Sequence, residues 1–221
     1  MVNQTKREVL VIEENPLVRF GILSVANLHP LLHVCEEAGD ARTARVLYSQ
    51  TKPHIVVLDI SLPHGDGIEL MREFSGINPG CRFVVVSGLC DCAVVQRAFR
   101  AGANGYVSKT DPAAEIFCAL EAVLVGGDYM SKSISESLRL AIVRKPANRA
   151  LTEVSRLSLR ELHIFRRIAK GQTTLAIARE LGVSVKTIQT HQGRIKTKLQ
   201  LITMAQLRLV AATWLACSMA I

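Results

Sequence analysis

The chain has 221 residues, of which 49% are hydrophobic and only 5% aromatic, and it carries a formal net charge of +8. At about 100 to 200 residues per domain, this length allows one large domain or two small ones. No apolar stretch is long enough to span a bilayer, and polar residues 4–7 lead directly into the first apolar run. The sequence therefore predicts a cytoplasmic protein without a membrane partner.

The charge is unevenly distributed along the chain. Residues 1–142 contain 13 Lys and Arg and 16 Asp and Glu, a balance of −3, whereas residues 143–221 contain 14 and 3, a balance of +11. This asymmetry indicates that the C-terminal part meets a polyanion. Pro146 interrupts a preceding helical pattern over residues 135–143. We predict one domain at residues 1–127, a helical linker at 128–157 and a second domain at 158–221.

Five apolar runs punctuate the first domain. They lie at residues 9–12, 31–35, 55–58, 83–86 and 105–107, and each precedes a segment with helical spacing. This alternation is typical of a parallel α/β domain. We expect a parallel five-stranded sheet and five helices by about residue 127.

Polar residues that can do chemistry follow four of these runs. Glu13 and Glu14 come after the first, Asp59 after the third, Ser87 after the fourth and Lys109 after the fifth. In an open parallel sheet, ligands bind outside the carboxyl ends of the strands. We therefore expect these residues to meet at one edge of the sheet, although they are far apart in the sequence.

Residues 8–125 resemble the receiver domain of two-component response regulators, a flavodoxin-like (βα)5 fold. The resemblance implies that Asp59 accepts a phosphoryl group and that Lys109 contacts its oxygens. It also implies that Ser87 is the switch hydroxyl and Tyr106 the switch aromatic. Such regulators receive the phosphoryl group from a sensor histidine kinase or a small phosphoryl donor.

The resemblance further implies a Mg²⁺ site made by Glu13, Glu14, Asp59 and the backbone carbonyl of Ser61. A carboxylate that attacks a phosphoryl donor is repelled by its charge, so a cation and a fixed lysine are what this chemistry requires. The family usually has Asp-Asp or Glu-Asp at the acidic pair. Glu14, expected to be the direct ligand, is one methylene longer than aspartate, and Mg²⁺ demands near-ideal geometry. We therefore expect weakened Mg²⁺ affinity, or a switch that works partly without phosphate.

The basic C-terminal part reads as three short helices. Ser158 and Glu161 form a capping box, and the first helix ends at Gly171. A second helix spans residues 174–181, and a third, rich in polar and basic residues, spans 184–199. A short helix, a tight turn and a longer helix form a helix-turn-helix, whose second member enters the major groove of double-stranded DNA.

Residues 158–215 resemble the LuxR-type DNA-binding domain, and the whole chain resembles the NarL/FixJ subfamily of response regulators. We predict that bases are contacted by Gln189 and Thr190 and phosphates mainly by the cations. The predicted DNA-binding residues are Lys186, Thr187, Gln189, Thr190, His191, Arg194 and Lys198. His191 is either structural or in contact with phosphate. Gly193 occupies a position where relatives often carry a side chain that reads DNA, so it either permits close backbone approach or relaxes specificity.

The last helix, from about residue 203, carries an apolar stripe. The stripe consists of Leu207, Val210, Ala211, Trp214 and Leu215. Part of it must cover the core of the small domain, and the remainder is predicted to pair with a second copy, as the family's final helix does. The predicted dimerisation residues are Leu207, Val210, Ala211 and Trp214, in a homodimer that reads two half-sites.

Other readings remain open at this point. A second reading is a degenerate receiver, with DNA binding controlled by a ligand, by Cys90 and Cys92, or not at all; these two cysteines are otherwise ordinary residues of a loop and a helix start. An aspartate nucleophile also occurs in phosphatases, but these usually need a second acid where Ser61 stands. A non-enzymatic regulator is the preferred interpretation.

Overall fold

The computed structural model describes residues 6–62, 65–143 and 154–219. Its contacts divide the chain into two compact units, Met1–Ile142 and Val143–Ile221, which we call the N-terminal unit and the C-terminal unit. No helix in the described ranges is long and apolar enough to cross a membrane.

The N-terminal unit is built on a parallel sheet whose strands follow the order β2-β1-β3-β4-β5-β6. The strands are β1 (Arg7–Ile12), β2 (Leu32–Ala38), β3 (Ile55–Leu58), β4 (Arg82–Ser87), β5 (Gly105–Ser108) and β6 (Tyr129–Met130). The prediction of a parallel α/β fold is confirmed, as are five strands and five helices before residue 127, and the sheet gains a sixth strand beyond that point. The sixth strand has only two residues, and Gly105 of β5 pairs with its Tyr129. No apolar run marks so short a strand.

Helices connect the strands. They are α1 (Pro16–Leu28), α2 (Ala41–Thr51), α3 (Gly67–Ile77), α4 (Cys92–Arg100), α5 (Ala113–Leu124) and α6 (Lys132–Val143). Asn15, Asp40 and Asp66 each accept two backbone N–H groups at the start of α1, α2 and α3, which satisfies donors that the first turn of a helix leaves unpaired. Residues 128–143 of the predicted linker thus contain β6 and α6.

The core of the N-terminal unit lies on both faces of the sheet. Every residue of β3 is buried, as are residues 9–12 of β1, because parallel strands are covered by helices on both sides. The order β2-β1-β3 reverses the direction of winding between β1 and β3. Ligands bind at such a switch point, and the residues that follow β1, β3, β4 and β5 are brought to this one edge.

The C-terminal unit is helical over the described residues. A 3₁₀ turn, Val154–Arg156, precedes α7 (Leu159–Ala169), α8 (Thr174–Glu180), α9 (Val185–Lys198) and α10 (Met204–Met219). The predicted capping box is present: Ser158 Oγ accepts from the Glu161 N–H at 3.3 Å, and Glu161 Oε2 accepts from the Ser158 N–H at 2.7 Å. The predicted helical domain is confirmed, with its core formed by inward-facing residues such as Phe165, Ile188 and Ile195.

Candidate functional site

Asp59 lies directly after β3 at the carboxyl edge of the sheet. Only 3% of its surface is exposed. Its backbone N–H donates to the carbonyl of Ile12 at 2.9 Å, and its Oδ1 accepts from the N–H of Ser61 at 3.0 Å. The side chain is therefore held in one orientation, with Oδ2 left for another partner.

Lys109 supplies that partner from the end of β5. Its Nζ donates to Asp59 Oδ2 at 2.7 Å and to Glu13 Oε1 at 2.8 Å. Glu13 Oε2 is also 2.7 Å from the ammonium, but it is buried without a hydrogen bond of its own, because only Oε1 has hydrogen-bonding geometry. One ammonium thus faces two buried carboxylates, and residues from β1, β3 and β5 meet as the strand register requires.

The pKa shifts in this cluster follow from its composition of one ammonium and two carboxylates. Burial raises the pKa of Glu13, although its hydrogen bond to Lys109 acts in the opposite direction. Burial alone would lower the pKa of Lys109, but the carboxylates of Asp59 and Glu13 outweigh it and raise that pKa. The lysine therefore stays charged, and one negative charge of the cluster is left uncompensated.

The two glutamates of the acidic pair differ in their exposure to solvent. Glu13 is fully buried, whereas the side chain of Glu14, expected to be the direct metal ligand, is exposed. Within the described ranges, no group of three or more His, Cys, Asp or Glu side chains is arranged to hold a metal ion. Of the residues predicted to hold Mg²⁺, Glu13 and Asp59 are buried and share Lys109, and Ser61 lies two residues beyond the aspartate.

Gly67, at the start of α3, has a role that the sequence did not reveal. A Cβ at this position would lie 2.5 Å from Ile60 Cα and 2.6 Å from the carbonyl oxygen of Asp59. The helix therefore packs directly on the backbone that carries Asp59, and only glycine allows this approach. A glycine just before a helical pattern was the available signal.

Ser87 and Tyr106 both reach the loop after β4. Ser87 Oγ accepts from the N–H of Leu89 at 3.3 Å, and the hydroxyl of Tyr106 donates to the carbonyl of Leu89. Both side chains are fully buried, and burial raises the pKa of Tyr106 well above its usual range, so its hydroxyl remains a donor. The two predicted switch residues thus hold the same residue of one loop.

The thiols of the cysteine pair have separate neighbours. Cys90 Sγ contacts Ser108 Oγ at 3.3 Å, whereas Cys92 Sγ accepts from Gln96 Nε2 at 3.3 Å. Burial raises the pKa of Cys92, which disfavours the reactive thiolate. These contacts favour the reading of a loop and a helix start.

In the C-terminal unit, α9 divides into an inner and an outer face. Ile188 and Ile195 are buried, whereas Lys186, Gln189, Thr190 and Arg194 have exposed side chains. These four predicted DNA-binding residues therefore lie on one accessible, basic surface; Lys198 is also exposed but has a partner inside the unit.

The other three are placed differently. Thr187 is half-buried beside the cap of α9, where its N–H donates to Ser184 Oγ at 3.0 Å. His191 is half-buried with a buried, unpaired Nδ1, and burial, reinforced by Arg160 and Arg194, lowers its pKa. Lys198 donates to the buried Glu161 Oε2 at 2.6 Å, which gives it a partner inside the unit.

The predicted dimerisation residues are largely in the core. Leu207 and Ala211 are fully buried, and Trp214 is 7% exposed, with its ring 5.6 Å from that of Phe165. These three side chains pack inside the C-terminal unit, and Val210 is half-buried, so dimerisation through this stripe stays a prediction. Helical periodicity finds a stripe but does not say which neighbour covers it. Among the described side chains of α10, the large apolar residue that is exposed is Leu209.

Comparisons with known proteins agree with this division into units. The chain matches the family described as "Response regulator receiver domain" over residues 9–121 and the family "Bacterial regulatory proteins, luxR family" over residues 155–211. It is 32% identical to the Fimbriae Z protein of Salmonella typhimurium over 200 residues, which cover 90% of this chain and 93% of the relative. It is 30% identical to the transcriptional regulatory protein LiaR of Bacillus subtilis, over 86% of this chain and 90% of the relative.

Solved structures give the same result. A LuxR-family two-component response regulator from Aurantimonas sp. is 34% identical and superposes with a TM-score of 0.60, over 63% of this chain and 100% of that one. RcsB of Salmonella typhimurium superposes with a TM-score of 0.65, over 95% of this chain and 98% of that one; at 22% identity, this likeness concerns the fold alone.

Proposed function

Since the chain belongs to the two-component response regulators with a receiver domain and a luxR-type DNA-binding domain, we propose that phosphorylation of Asp59 controls its binding to DNA and thereby transcription. The observation that carries the proposal is the Lys109 ammonium, 2.7 Å from Asp59 Oδ2 at the carboxyl edge of the sheet. We assign the receiver to residues 1–127, a linker to 128–157 and the DNA-binding domain to 158–221.

The arrangement supports phosphoryl transfer to Asp59. An oxygen of Asp59 forms a bond to phosphorus while the bond between phosphorus and the donor's leaving group breaks, and the leaving group takes up a proton. Lys109 is held where the transferred oxygens would gather, and a fixed cation there lowers the barrier. The donor is a sensor histidine kinase or a small phosphoryl compound. Exposed Leu17 and Phe20 on α1, close in sequence to Glu13, offer an apolar surface to a donor protein.

The residues present fit Mg²⁺. The buried Oε2 of Glu13 lacks a hydrogen bond, and the carboxylates of Glu13 and Asp59 converge with an uncompensated charge. Carboxylate and carbonyl oxygens are the ligands that Mg²⁺ prefers. Glu13, Glu14, Asp59 and the carbonyl of Ser61 would hold the ion, which when bound neutralises charge on the transferring phosphoryl group.

Ser87 and Tyr106 connect the site to the loop after β4. Both bond to Leu89, so a phosphoryl group that attracted the Ser87 hydroxyl would release the Leu89 N–H. The loop would then have to rearrange, which makes it the two-state element that such a switch requires.

The proposed output is DNA binding by the exposed face of α9. RcsB, which shares the fold, has been solved in complex with DNA. Lys186 and Arg194 would contact phosphates, and Gln189 and Thr190 would face bases. The proposed homodimer would use the exposed side of α10 around Leu209, since the opposite side is core. Because the relatives MctR and LiaR are named transcriptional regulatory proteins, the proposal is a non-enzymatic regulator that works in the cytoplasm.

The test is intact-protein mass after incubation with Mg²⁺ and acetyl phosphate, followed by DNA titration. We expect one phosphoryl adduct on the wild type, none on Asp59→Asn, and an unchanged adduct on the matched control Asp128→Asn, whose carboxylate precedes β6 at the opposite edge of the sheet. An adduct on Asp59→Asn would show that another residue is the acceptor.

A degenerate receiver is the second candidate. It is favoured by the exposed side chain of Glu14 and by the Lys109 ammonium, which already neutralises part of the acidic cluster. In that case neither protein gains an adduct, and the wild type and Asp59→Asn bind DNA with or without the phosphoryl donor.

A further inference from the structure

A glycine lies in the middle of the helix that we propose reads DNA. Gly193 is the ninth of the 14 residues of α9, and glycine in a helix interior is less favourable than alanine. Its presence therefore needs a reason. The inference below rests on the proposed function of α9.

The described residues of the C-terminal unit do not supply this reason. A Cβ built on Gly193 would meet nothing within 4 Å. Gly193 is also not among the glycines with positive φ, which are Gly102, Gly126, Gly171 and Gly182 in the described ranges. Alanine would fit both the space and the backbone, so packing and conformation do not require glycine.

Gly193 lies on the outward face of α9. At about 100° per residue, it projects opposite Ile188 and Ile195, the side chains that anchor the helix to the core. Its neighbours on that face, Thr190 three residues before and Thr197 four residues after, are exposed. The bare backbone of Gly193 is therefore a depression in the surface that would meet DNA.

The two threonines make this depression apolar. Thr190 Oγ1 donates to the Lys186 carbonyl at 3.0 Å, and Thr197 Oγ1 donates to the Gly193 carbonyl at 3.2 Å. With each hydroxyl turned back to the helix, the methyl groups are the parts left to meet a partner. We call the depression formed by Thr190, Gly193 and Thr197 the methyl notch.

We propose that the methyl notch receives the C5 methyl group of one thymine in the major groove. This methyl is the apolar group that the major groove presents to a protein, and threonine methyls are suitable contacts for it. Lys186 and Arg194 lie beside the notch on the same exposed surface, where phosphate contacts would fix the depth of the helix. Gly193 is then a specificity-determining residue: it selects thymine by leaving space for its methyl group.

The experiment uses the full chain and a duplex selected by the wild type from a random-sequence pool. Each thymine is replaced singly by deoxyuracil, which lacks only the methyl group and keeps every hydrogen bond of the pair. We expect one replacement to weaken binding about fourfold, the factor for burying one methyl-sized group, and the others to have little effect.

In Gly193→Ala, the alanine methyl group would fill the space that the thymine methyl group occupies in the proposed complex. We expect this variant to bind the deoxyuracil duplex at least as tightly as the thymine duplex, which reverses the preference of the wild type. The matched control is Gly21→Ala in α1, where a Cβ also meets nothing within 4 Å; it should keep the thymine preference. Both variants should melt at or above the wild-type temperature, so a change in preference is not caused by unfolding.

Two results would overturn the inference: equal binding of all the deoxyuracil duplexes by the wild type, or a thymine preference retained by Gly193→Ala. A wild type that enriches no sequence and binds no DNA would instead overturn the proposed function itself, together with this inference.

Discussion

Both units pair a lysine with a buried glutamate, but the two pairs differ in charge balance. In the N-terminal unit, Lys109 faces two carboxylates, Glu13 and Asp59, and the pKa of Glu13 is raised, first of all by burial. In the described part of the C-terminal unit, Lys198 faces one carboxylate, that of Glu161, which also accepts the Ser158 N–H. There the lysine and the N–H outweigh burial, and the pKa of Glu161 is lowered.

This difference in charge balance distinguishes a structural ion pair from a cluster that can bind a further cation. A carboxylate whose charge is fully matched by an ammonium and a backbone N–H has no need of a further partner. A cluster with one cation and two buried acids retains charge that a metal ion or other cation can neutralise. The burial of a lysine–glutamate pair is therefore less informative about function than the balance between the positive and negative charges around it.

The largest expected effect comes from Lys109→Met. It leaves Glu13 and Asp59 buried without a cation, and removal of one partner of a buried pair costs about 3 kcal/mol of unfolding free energy at neutral pH. Because a proton can replace the lost charge, the deficit should shrink as the pH falls. Hydrogen exchange of the β1 and β3 amides measures it.

A second substitution and a control sharpen this result. Asp59→Asn added to Lys109→Met should recover part of the stability, because one carboxylate is removed. Lys132→Met, at an exposed position, should change stability little. If Lys109→Met is as stable as the control, the two carboxylates are not held together by the lysine.

Lys198→Met should have a smaller effect. Glu161 is buried, but the side chain of Lys198 is 40% exposed, so water can reach the carboxylate and the Ser158 N–H still bonds to it. We expect a loss of about 1 kcal/mol. Trp214 is the sole tryptophan of the chain and lies in the core of the C-terminal unit, so its fluorescence follows the unfolding of that unit. Lys186→Met on the same helix is the control, and an equal loss there would mean that the pair contributes nothing specific.

The smallest expected effect is a pH dependence. The pKa of Glu161 is below its usual value near 4.5 in the folded protein, so the folded state favours the ionised carboxylate. Its contribution is fully present above the unfolded pKa and is lost as the pH falls through the lower folded value. As the pH falls below about 4.5, the wild type should lose more unfolding free energy than Glu161→Gln. If stability measured by Trp214 fluorescence has the same pH dependence in the wild type and Glu161→Gln, Glu161 is not the group responsible.

The residues at strand ends were predictable because strand register leaves them little choice. An apolar run of known length brings the next residue to the carboxyl edge of the sheet, so Asp59 and Lys109 were expected to meet and do lie 2.7 Å apart. The Ser158 helix cap was similarly local, since the cap and the backbone N–H that donates to it lie within three residues. The phosphorylation and metal roles of these residues stay predictions.

The tertiary structure decided which distant side chain each of these residues contacts. Glu13 and Glu14 are adjacent, yet only the arrangement of β3 and β5 determines that Glu13 faces Lys109. Leu207 and Leu209 are both apolar and two residues apart, but α7 covers only the former side of α10.

The sequence by itself determined the order of strands and helices, the capped helix starts and the edge at which the polar residues gather, because these depend on spacing along one element. The tertiary structure decided the sixth strand, the core position of Trp214 and the pairing of Lys198 with Glu161. Each of these depends on which surface another element covers, and distant parts of the chain settle that through packing and charge rather than through local periodicity.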